Sequence, residues 1–414
     1  MSISTDYDAI AQCNRCGFCQ VACPVFRATG NESGVARGRL ALLRALIENR
    51  LAWSPELEEP LYDCLLCGAC TSNCFPAIPT SDLVIKARSE YLDTVGRKSI
   101  HRLLFDKLLP YPRRLHLAAR AVALGKNSGV SELAGALGLL RIFGHDFARA
   151  EQILGRLPTQ PLRTRFKPGV YQGRGHHLKV AYFVGCGTDT VSQAAGQATL
   201  ALLRRFSRDV HLLDNNCCGL PAWSYGDLAA ARHLSARNLP LLDTGQFDAI
   251  VTDCSSCTSF IKKYPLLFTD NDPRRNQAQD VAAGTRDVAE WLAAEIVPFS
   301  KTLEGKRVTF HDPCHASRGL GILKAPRDLL RQLPGAEFVE MPEADWCCGG
   351  AGAYALSHYD LAMQVLDRKM ENLKKTGADV LVTTCPACII QLSHGVRRHG
   401  LNVKVQHLTE VINS

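Results

Sequence analysis

The sequence predicts an α+β multidomain protein: a small cysteine-rich helical domain, a basic helical connector, and two duplicated α/β lobes. Three observations predict it. Eight cysteines near the start fall into two runs of one spacing, Cys13-x2-Cys16-x2-Cys19-x3-Cys23 and Cys64-x2-Cys67-x2-Cys70-x3-Cys74. Ten more form two sets of five, offset from each other by 128, 130 and 131 residues. Around those sets, short strand-like runs alternate with helical ones, the pattern of parallel α/β sheets.

The first run ends Cys23-Pro24 and resembles the bacterial ferredoxin run, C-x2-C-x2-C-x3-C-P. There, three closely spaced thiolates take three corners of a [4Fe–4S] cube and the fourth reaches across to a second cluster. The spacing demands a partner, and the second run supplies it. The simplest assignment puts Cys13, Cys16, Cys19 and Cys74 on one cubane and Cys64, Cys67, Cys70 and Cys23 on the other. One detail departs from the pattern: proline follows Cys23 directly but is displaced to Cys74-Phe75-Pro76 in the second run. Proline removes a backbone donor near the sulfurs, so the displacement bears on hydrogen bonding and leaves ligation alone.

The bounds are consistent with such a protein. At 414 residues and 46% apolar composition the chain can build several cores. Its start, Met1 to Asp8, has no basic stretch followed by an apolar run, so no signal peptide is expected. No stretch approaches the length of an uncharged membrane span. The most apolar candidate, 115–143, is interrupted by Arg120, Lys126, Glu132 and Arg141. Eighteen cysteines without an export signal are expected in a reducing compartment, binding metal rather than pairing. The expected location is therefore cytoplasmic, with peripheral attachment to the inner face of the membrane as the alternative. The net charge of +8 is concentrated between Arg97 and His176, which carries 15 Lys/Arg against 4 Asp/Glu. A solvated helical face explains such a run, as do an acidic partner or an anionic membrane surface. Nucleic acid is not expected, since no helix-turn-helix, zinc-finger or RNA-binding signature accompanies the charge.

In chain order, residues 1–95 form the two-cluster domain. Its helices are expected at 38–49 (GRLALLRALIEN) and 81–92 (SDLVIKARSEYL), the second capped by Ser81 or Asp82. This is the layout of an alpha-helical ferredoxin, in which the clusters themselves supply much of the stability. Residues 96–177 are a basic connector with helices at 103–110 and 115–124, interrupted at Pro110 and Pro112, and a Pro/Gly/Arg-rich linker at 158–175.

Residues 178–303 form the first lobe: a strand at 178–185, Cys186, Cys217-Cys218-Gly219, a strand at 249–252, then Cys254-x2-Cys257. Residues 304–414 repeat it with a strand at 307–311, Cys314, Cys347-Cys348-Gly349, a strand at 379–382, and Cys385-x2-Cys388. A repeat of that length means domain duplication rather than a solenoid. The cysteines fall at strand C-termini and helix starts, where open sheets place ligands and where thiolates are favoured. Each set holds five thiols, one more than a cubane or a structural zinc needs. The ten and the eight together account for every cysteine, against the ordinary reading of buried thiols as core residues.

Cys-x30-Cys-Cys-Gly-x34-Cys-x2-Cys and Cys-x32-Cys-Cys-Gly-x35-Cys-x2-Cys resemble the cysteine-rich repeat of heterodisulfide reductase subunits. Fusion to a two-cluster ferredoxin resembles the iron–sulfur subunits of glycolate oxidase, D-lactate dehydrogenase and anaerobic glycerol-3-phosphate dehydrogenase. Gly38-Arg39-Leu40 and the stretch from Cys347-Cys348-Gly349-Gly350 to Ser357-His358 look most like the glycolate oxidase type. That resemblance implies an electron-transfer subunit relaying electrons from a FAD-binding 2-hydroxyacid dehydrogenase subunit toward quinone or an electron-transfer flavoprotein. It also implies one or two non-cubane [4Fe–4S] clusters on the five-cysteine sets, beside the two cubanes.

Smaller signals are weighed against plainer roles. Gly350-x-Gly352-x-x-Ala355 matches a dinucleotide fingerprint loosely but follows a cysteine pair, so close approach of backbone to a cluster is expected instead. His311 and His315 flank Cys314; each is expected to be a structural histidine bonded to backbone, with proton transfer or metal ligation as the alternatives. Asp253, Asp312 and Asp345 stand beside cysteines, and Trp346 beside Cys347 is expected to shield a cluster. No carboxylate pair, Ser-His triad or flavin motif is present to oxidise an organic substrate. Two other classes stay open: a catalytic subunit that reduces a disulfide at a non-cubane cluster, and an interaction protein stabilised by zinc in each lobe.

Overall fold

The computed structural model describes residues 2–140, 145–175, 177–295, 303–352 and 354–413. Arg141 and Phe143 of the apolar stretch, Ala353 of the glycine-rich motif and 296–302 before the expected lobe boundary lie outside them.

The N-terminal domain is a set of short helices round a small core. In the helix Ala36–Ile47, Leu40, Leu43 and Leu46 recur at helical spacing and are buried. They meet Leu83, Ala87 and Tyr91 from the helix Thr80–Val95. That second helix starts directly behind Pro79 with no side-chain cap, so the cap expected from Ser81 or Asp82 is not made. It stops at Gly96, whose φ of +92° lies in the left-handed region. Only a dozen buried apolar residues make up this core. At roughly 1.5–3 kcal/mol per buried large side chain, such a core is small against the entropy of ordering the domain. The domain is therefore expected to depend on what its eight thiols bind.

The connector is helical as expected, with details the pattern did not show. Leu103–Leu108 is wound as a π-helix. The following helix, Pro112–Asn127, opens with proline at its first position, where the missing N–H has no intrahelical partner to lose. Phe105 and Leu109 sink into the core of the lobes, and the Leu109 carbonyl accepts from Cys217 N at 3.4 Å. The expected linker is partly built: it contains a turn of helix, Leu162–Arg165, and a strand, β1 (Gly169–Gln172).

The first lobe is a five-stranded sheet in the order β1-β3-β2-β4-β5. Its other strands are β2 (Lys179–Tyr182), β3 (Asp209–Leu212), β4 (Ala249–Thr252) and β5 (Thr285–Asp287). β2 to β5 are parallel, as the alternation predicted, but β1 joins the edge antiparallel, with Val170 opposite His211. The sheet thus begins upstream of the start expected at residue 178. The central run Val180 to Val184 is buried throughout, as a strand covered on both faces should be. The second lobe is an all-parallel sheet in the order β7-β6-β8-β9, built from β6 (Lys306–Phe310), β7 (Ala336–Phe338), β8 (Val380–Thr383) and β9 (Lys404–His407).

The lobes meet through the turns after β4 and β8. Ser255 N donates to the Thr384 carbonyl at 3.1 Å, and the two side-chain hydroxyls are 2.7 Å apart. Buried His407 bonds the Asp253 carbonyl through Nε2 at 2.8 Å. One apolar core runs through both lobes and includes Cys23 from the N-terminal domain.

Candidate metal centres

The two N-terminal runs adopt one loop conformation despite the displaced proline. Arg15 and Leu66 have φ near +54° and +53°, and Gly17 and Gly68 have φ of +89° and +72°. Each glycine then opens a short helix, Phe18–Ala22 or Ala69–Ser72, that carries the third cysteine of its run. Residues with side chains at left-handed φ are uncommon, so their recurrence marks a backbone shaped to turn thiols inward. Cys70 is surrounded by the charges of Cys64, Cys67 and Cys23, and Cys19 by those of Cys13 and Cys16. Cys74 packs with Cys13 against the small core. The groups differ in exposure: Cys16 is exposed, whereas Cys23 is buried and its thiol is pushed up to about 11, chiefly by burial. Exposed Phe18, Val21 and Phe75 flank Cys19 and Cys74, with Phe75 92% exposed.

In the lobes all ten cysteines lie in direct succession. Cys186 and Cys217 sulfurs are 3.7 Å apart. Cys217 and Cys218 interact, Cys218 meets Cys257, and Cys257 meets Cys254. Cys254 then touches Cys385 across the lobe boundary. In the second lobe Cys385 meets Cys388, Cys388 meets Cys348, and Cys347 meets both Cys348 and Cys314. The adjacent pairs are split: Cys217 faces Cys186 while Cys218 faces Cys257, and Cys347 and Cys348 divide in the same way. Hydrogen bonds from Cys217 and Cys257 hold Cys218 down to about 5, and those from Cys347 and Cys388 hold Cys348 well below the thiol range. Their donors Cys257 and Cys388 are pushed up by giving those bonds, and burial adds to it. Packed thiols cannot all lose their protons together unless a cation takes up the charge, which is what a metal centre provides. All eighteen cysteines are free.

The N-terminal domain is fastened onto this array. The Cys67 thiol lies against that of Cys347. Arg318 Nη1 donates to the Cys67 carbonyl at 3.4 Å, and its Nη2 pairs with Asp345 at 2.6 Å. Tyr354 Oη donates to the Asp63 carbonyl at 2.9 Å. Fully buried Arg88 donates to the carbonyls of Leu61 (2.8 Å), Cys64 (2.7 Å) and Ser224.

Comparison with known proteins agrees with this geometry. The model of the 4Fe-4S dicluster domain matches residues 9–78, and that of the cysteine-rich domain matches twice, at 180–262 and 308–393. The linker region of the glycolate oxidase iron-sulfur subunit matches 96–154. The chain is 29% identical to a probable glycolate oxidase iron-sulfur subunit of Bacillus subtilis, over 98% of this chain and 94% of that one. It is 31% identical to lactate utilization protein A of the same organism, over 57% of this chain and 100% of that one. The chain belongs to the family of glycolate oxidase-type iron–sulfur subunits. Among solved structures, a glutamate racemase of Bacillus anthracis overlaps 58% of this chain and 80% of its own at 13% identity and a TM-score of 0.28, too low to bear on fold or chemistry.

A glycolate oxidase-type subunit is an iron–sulfur protein with an electron-transfer role, and the remaining residues around the thiols fit support rather than substrate chemistry. Asp253 accepts from Tyr182 Oη at 2.6 Å and Thr188 Oγ1 at 2.9 Å, and Asp312 is clamped by Arg327 at 2.9 and 2.7 Å. Trp346 donates to the Val365 carbonyl at 3.2 Å. Gly350 lies close to Cys348: a Cβ there would stand 3.4 Å from the Cys348 sulfur. His315 bonds Ser256 Oγ at 2.8 Å, and that hydroxyl lies 3.3 Å from Cys385 Sγ.

His311 departs from expectation. It is buried, and neither ring nitrogen makes a hydrogen bond of good geometry; its backbone interaction with Ala344 is weak, so it is not the well-bonded structural histidine the sequence suggested. Burial pushes its pKa down to about 3, leaving a neutral imidazole. The sequence also gave no notice of Asp189, on the short helix Cys186–Thr190 that follows β2. It is fully buried and accepts from His116 Nε2 at 2.6 Å and from Arg163 N, Nε and Nη2 at 3.0, 3.0 and 2.8 Å. Burial raises its pKa, but these bonds outweigh that and hold it below the usual carboxylate range. Asp189 thereby ties connector, linker and the Cys186 helix together. Among the described residues no helix is long and apolar enough to cross a membrane.

Proposed function

We propose that this chain is the electron-transfer subunit of a 2-hydroxyacid dehydrogenase complex, oxidising glycolate or D-lactate. In this reading it takes electrons from a FAD-binding partner and passes them toward quinone or another acceptor. Cys13, Cys16, Cys19 and Cys74 would hold one cubane, Cys23, Cys64, Cys67 and Cys70 the other. The two five-cysteine sets would hold non-cubane clusters. Iron–sulfur clusters supply one-electron transfer at potentials tuned by charge, hydrogen bonds and exposure.

What supports the reading is the unbroken succession of thiols from Cys67 through Cys347, Cys385 and Cys254 to Cys186. Two surface features would serve it as inlet and outlet. At one, exposed Phe18, Val21 and Phe75 beside the first cysteine group suit docking of a redox partner. At the other, a cleft of about 530 Å³ is lined by Val191 and Ser192, which follow the Cys186 helix, and by Ile389 and Ile390, which follow Cys388. Arg156, Arg165 and Arg397 also line it. An apolar wall with cationic groups suits a small acceptor with a polar head. Attachment to the inner membrane face would be peripheral, through the basic connector.

Anaerobic iron, sulfide and zinc analysis with EPR during a redox titration tests this. About sixteen irons, four clusters of four, and reduction by the flavoprotein partner with its hydroxyacid are expected. About eight irons, or zinc in the lobes, would sink the relay through them. The completeness of both five-cysteine sets favours one second reading, reduction of a disulfide at the lobes; turnover of a disulfide with reduced dye and no flavin subunit would establish it instead.

A further inference from the structure

The two lobes are duplicates in sequence spacing but not in what surrounds their thiols. Three residues before Cys186 stands Phe183, and three before Cys314 stands His311. Three residues after Cys257 comes Phe260, and three after Cys388 comes Gln391. All four side chains are buried, at 0, 1, 1 and 2% exposure for Phe183, His311, Phe260 and Gln391. The first lobe therefore walls its cysteines with two phenyl rings where the second presents an imidazole and an amide.

Those two polar groups are poorly bonded. His311 Nδ1 and Nε2 and Gln391 Nε2 make no hydrogen bond of good geometry, His311 having only a weak interaction with the Ala344 backbone. Burying three poorly satisfied nitrogens is costly, and an apolar alternative of similar size is in use in the twin lobe. Both residues also lie near the same thiols. A ring nitrogen of His311 and the sulfurs of Cys348 and Cys388 lie within 4.8 Å of one another, all three residues buried. Gln391 joins them across Gly350, where a Cβ would meet Gln391 Cβ at 3.2 Å and Cys348 Sγ at 3.4 Å. A third difference has the same sense. Lys369, fully buried, donates to the carbonyls of Glu343 (2.6 Å) and Ala344 (3.1 Å) beside the Cys347-Cys348 pair. The facing helix of the first lobe has the neutral Asn238 against Cys217 O.

Resting on the reading that both lobes bind iron, we propose that the second lobe holds a mixed imidazole–thiolate iron–sulfur centre. In it His311 ligates together with Cys348 and Cys388, and the Gln391 amide donates to a cluster sulfur, while the first lobe's centre is bound by thiolates alone. Imidazole in place of thiolate removes negative charge from a cluster and raises its potential, and an added N–H donor and a buried ammonium act in the same direction. The two centres are consequently inequivalent, the second lobe's being the more easily reduced.

The test is pulsed EPR on the anaerobically purified full-length protein, poised in the oxidation state that makes the lobe centres paramagnetic. Three samples are compared: wild type with natural histidine, wild type with 15N-histidine, and His311→Phe, which installs the first lobe's residue. A nitrogen coupling that changes isotope with the label, and is lost in His311→Phe together with a negative shift of one midpoint potential, is expected. His315→Asn, which removes the other nearby imidazole, should keep the coupling and serves if His311→Phe does not accumulate. A coupling absent from wild type, or insensitive to 15N-histidine, would overturn the proposal. So would its persistence in His311→Phe or its loss in His315→Asn. Iron analysis of the same samples separates the two levels: about eight irons would mean the lobes are empty and the underlying reading has failed. About sixteen without histidine coupling would mean that only the ligand assignment has.

Discussion

Replacing Asp189 by asparagine keeps the size of the side chain and removes the charge that four donors converge on. Arg163 would be left with its guanidinium nearly sealed, its side chain only 3% exposed, held by carbonyls, chiefly that of Asn215 at 2.5 Å, and by the exposed Asp214 carboxylate at 4.0 Å. Breaking one side of a buried ion pair costs about 3–5 kcal/mol, because the surviving charge stays desolvated. The first lobe contains Trp223 and Trp291, both largely buried, so urea unfolding of the anaerobic protein can be followed by tryptophan fluorescence. With a slope of about 1–3 kcal/mol per molar urea, the midpoint of that lobe should fall by roughly 1–5 M. Because Asp189 lies on the same short helix as Cys186, the variant should also lose iron from that lobe first. A double variant, Asp189→Leu with Arg163→Met, should recover most of the stability, since replacing both partners by apolar groups is often close to neutral. If Asp189→Asn unfolds at the wild-type midpoint, or if the double variant is worse than the single, the ion pair does not hold the connector to the lobe as argued.

Three further outcomes are expected. Arg88→Met removes charged hydrogen bonds to the carbonyls of Leu61 and Cys64 within the N-terminal domain and of Ser224 in the first lobe; at about 1.5–3 kcal/mol each that domain should loosen and lose its hold on the lobe, read as faster proteolysis within the connector at unchanged lobe stability. Phe75→Ser, at an almost fully exposed position, should change stability by no more than about 0.5 kcal/mol and leave iron content alone. It should slow reduction by the flavoprotein partner, and an unchanged rate would remove that face from the docking surface. Asp287 is fully buried, and burial, opposed by hydrogen bonds from Ala289 N, Ser255 and Thr258, raises its pKa from 3.8 to about 7. Its folded form holds a proton that the unfolded chain has already released, so the stability it contributes is full below pH 3.8 and lost as pH rises through about 7. A shift of that size is worth about 4 kcal/mol at most. Asp287→Asn should therefore gain on wild type between pH 3.8 and about 7 and keep that gain above, and parallel stability–pH curves would contradict the buried-acid assignment.

Much of this protein was legible in the sequence because its information is local. Cysteine spacing is set by how short a loop can close round a metal, so Cys13 to Cys23 and Cys64 to Cys74 announced iron–sulfur binding without any knowledge of the fold. Duplication was legible for a like reason: β2, β4, β6 and β8 are apolar runs leading into cysteines, and were expected within a few residues of where they lie. The strands left unnamed, β3, β5, β7 and β9, are three or four residues long with polar members such as Asp209 and Lys404, too short for a period to show. β1 was hidden in a Pro/Gly/Arg-rich stretch and exists because β3 offered it an edge.

Tertiary structure alone decided how the parts connect. Cys67 is 280 residues from Cys347, and Cys254 is 131 from Cys385, yet each pair touches. Nothing in local spacing encodes which distant thiols will meet, because that depends on how whole domains bury their shared faces. The same holds for His311. In sequence it is one more histidine near a cysteine, for which a backbone partner is the ordinary outcome. Only the packed lobe, which leaves it buried, poorly bonded and facing two sulfurs, gives that residue a distinct chemistry.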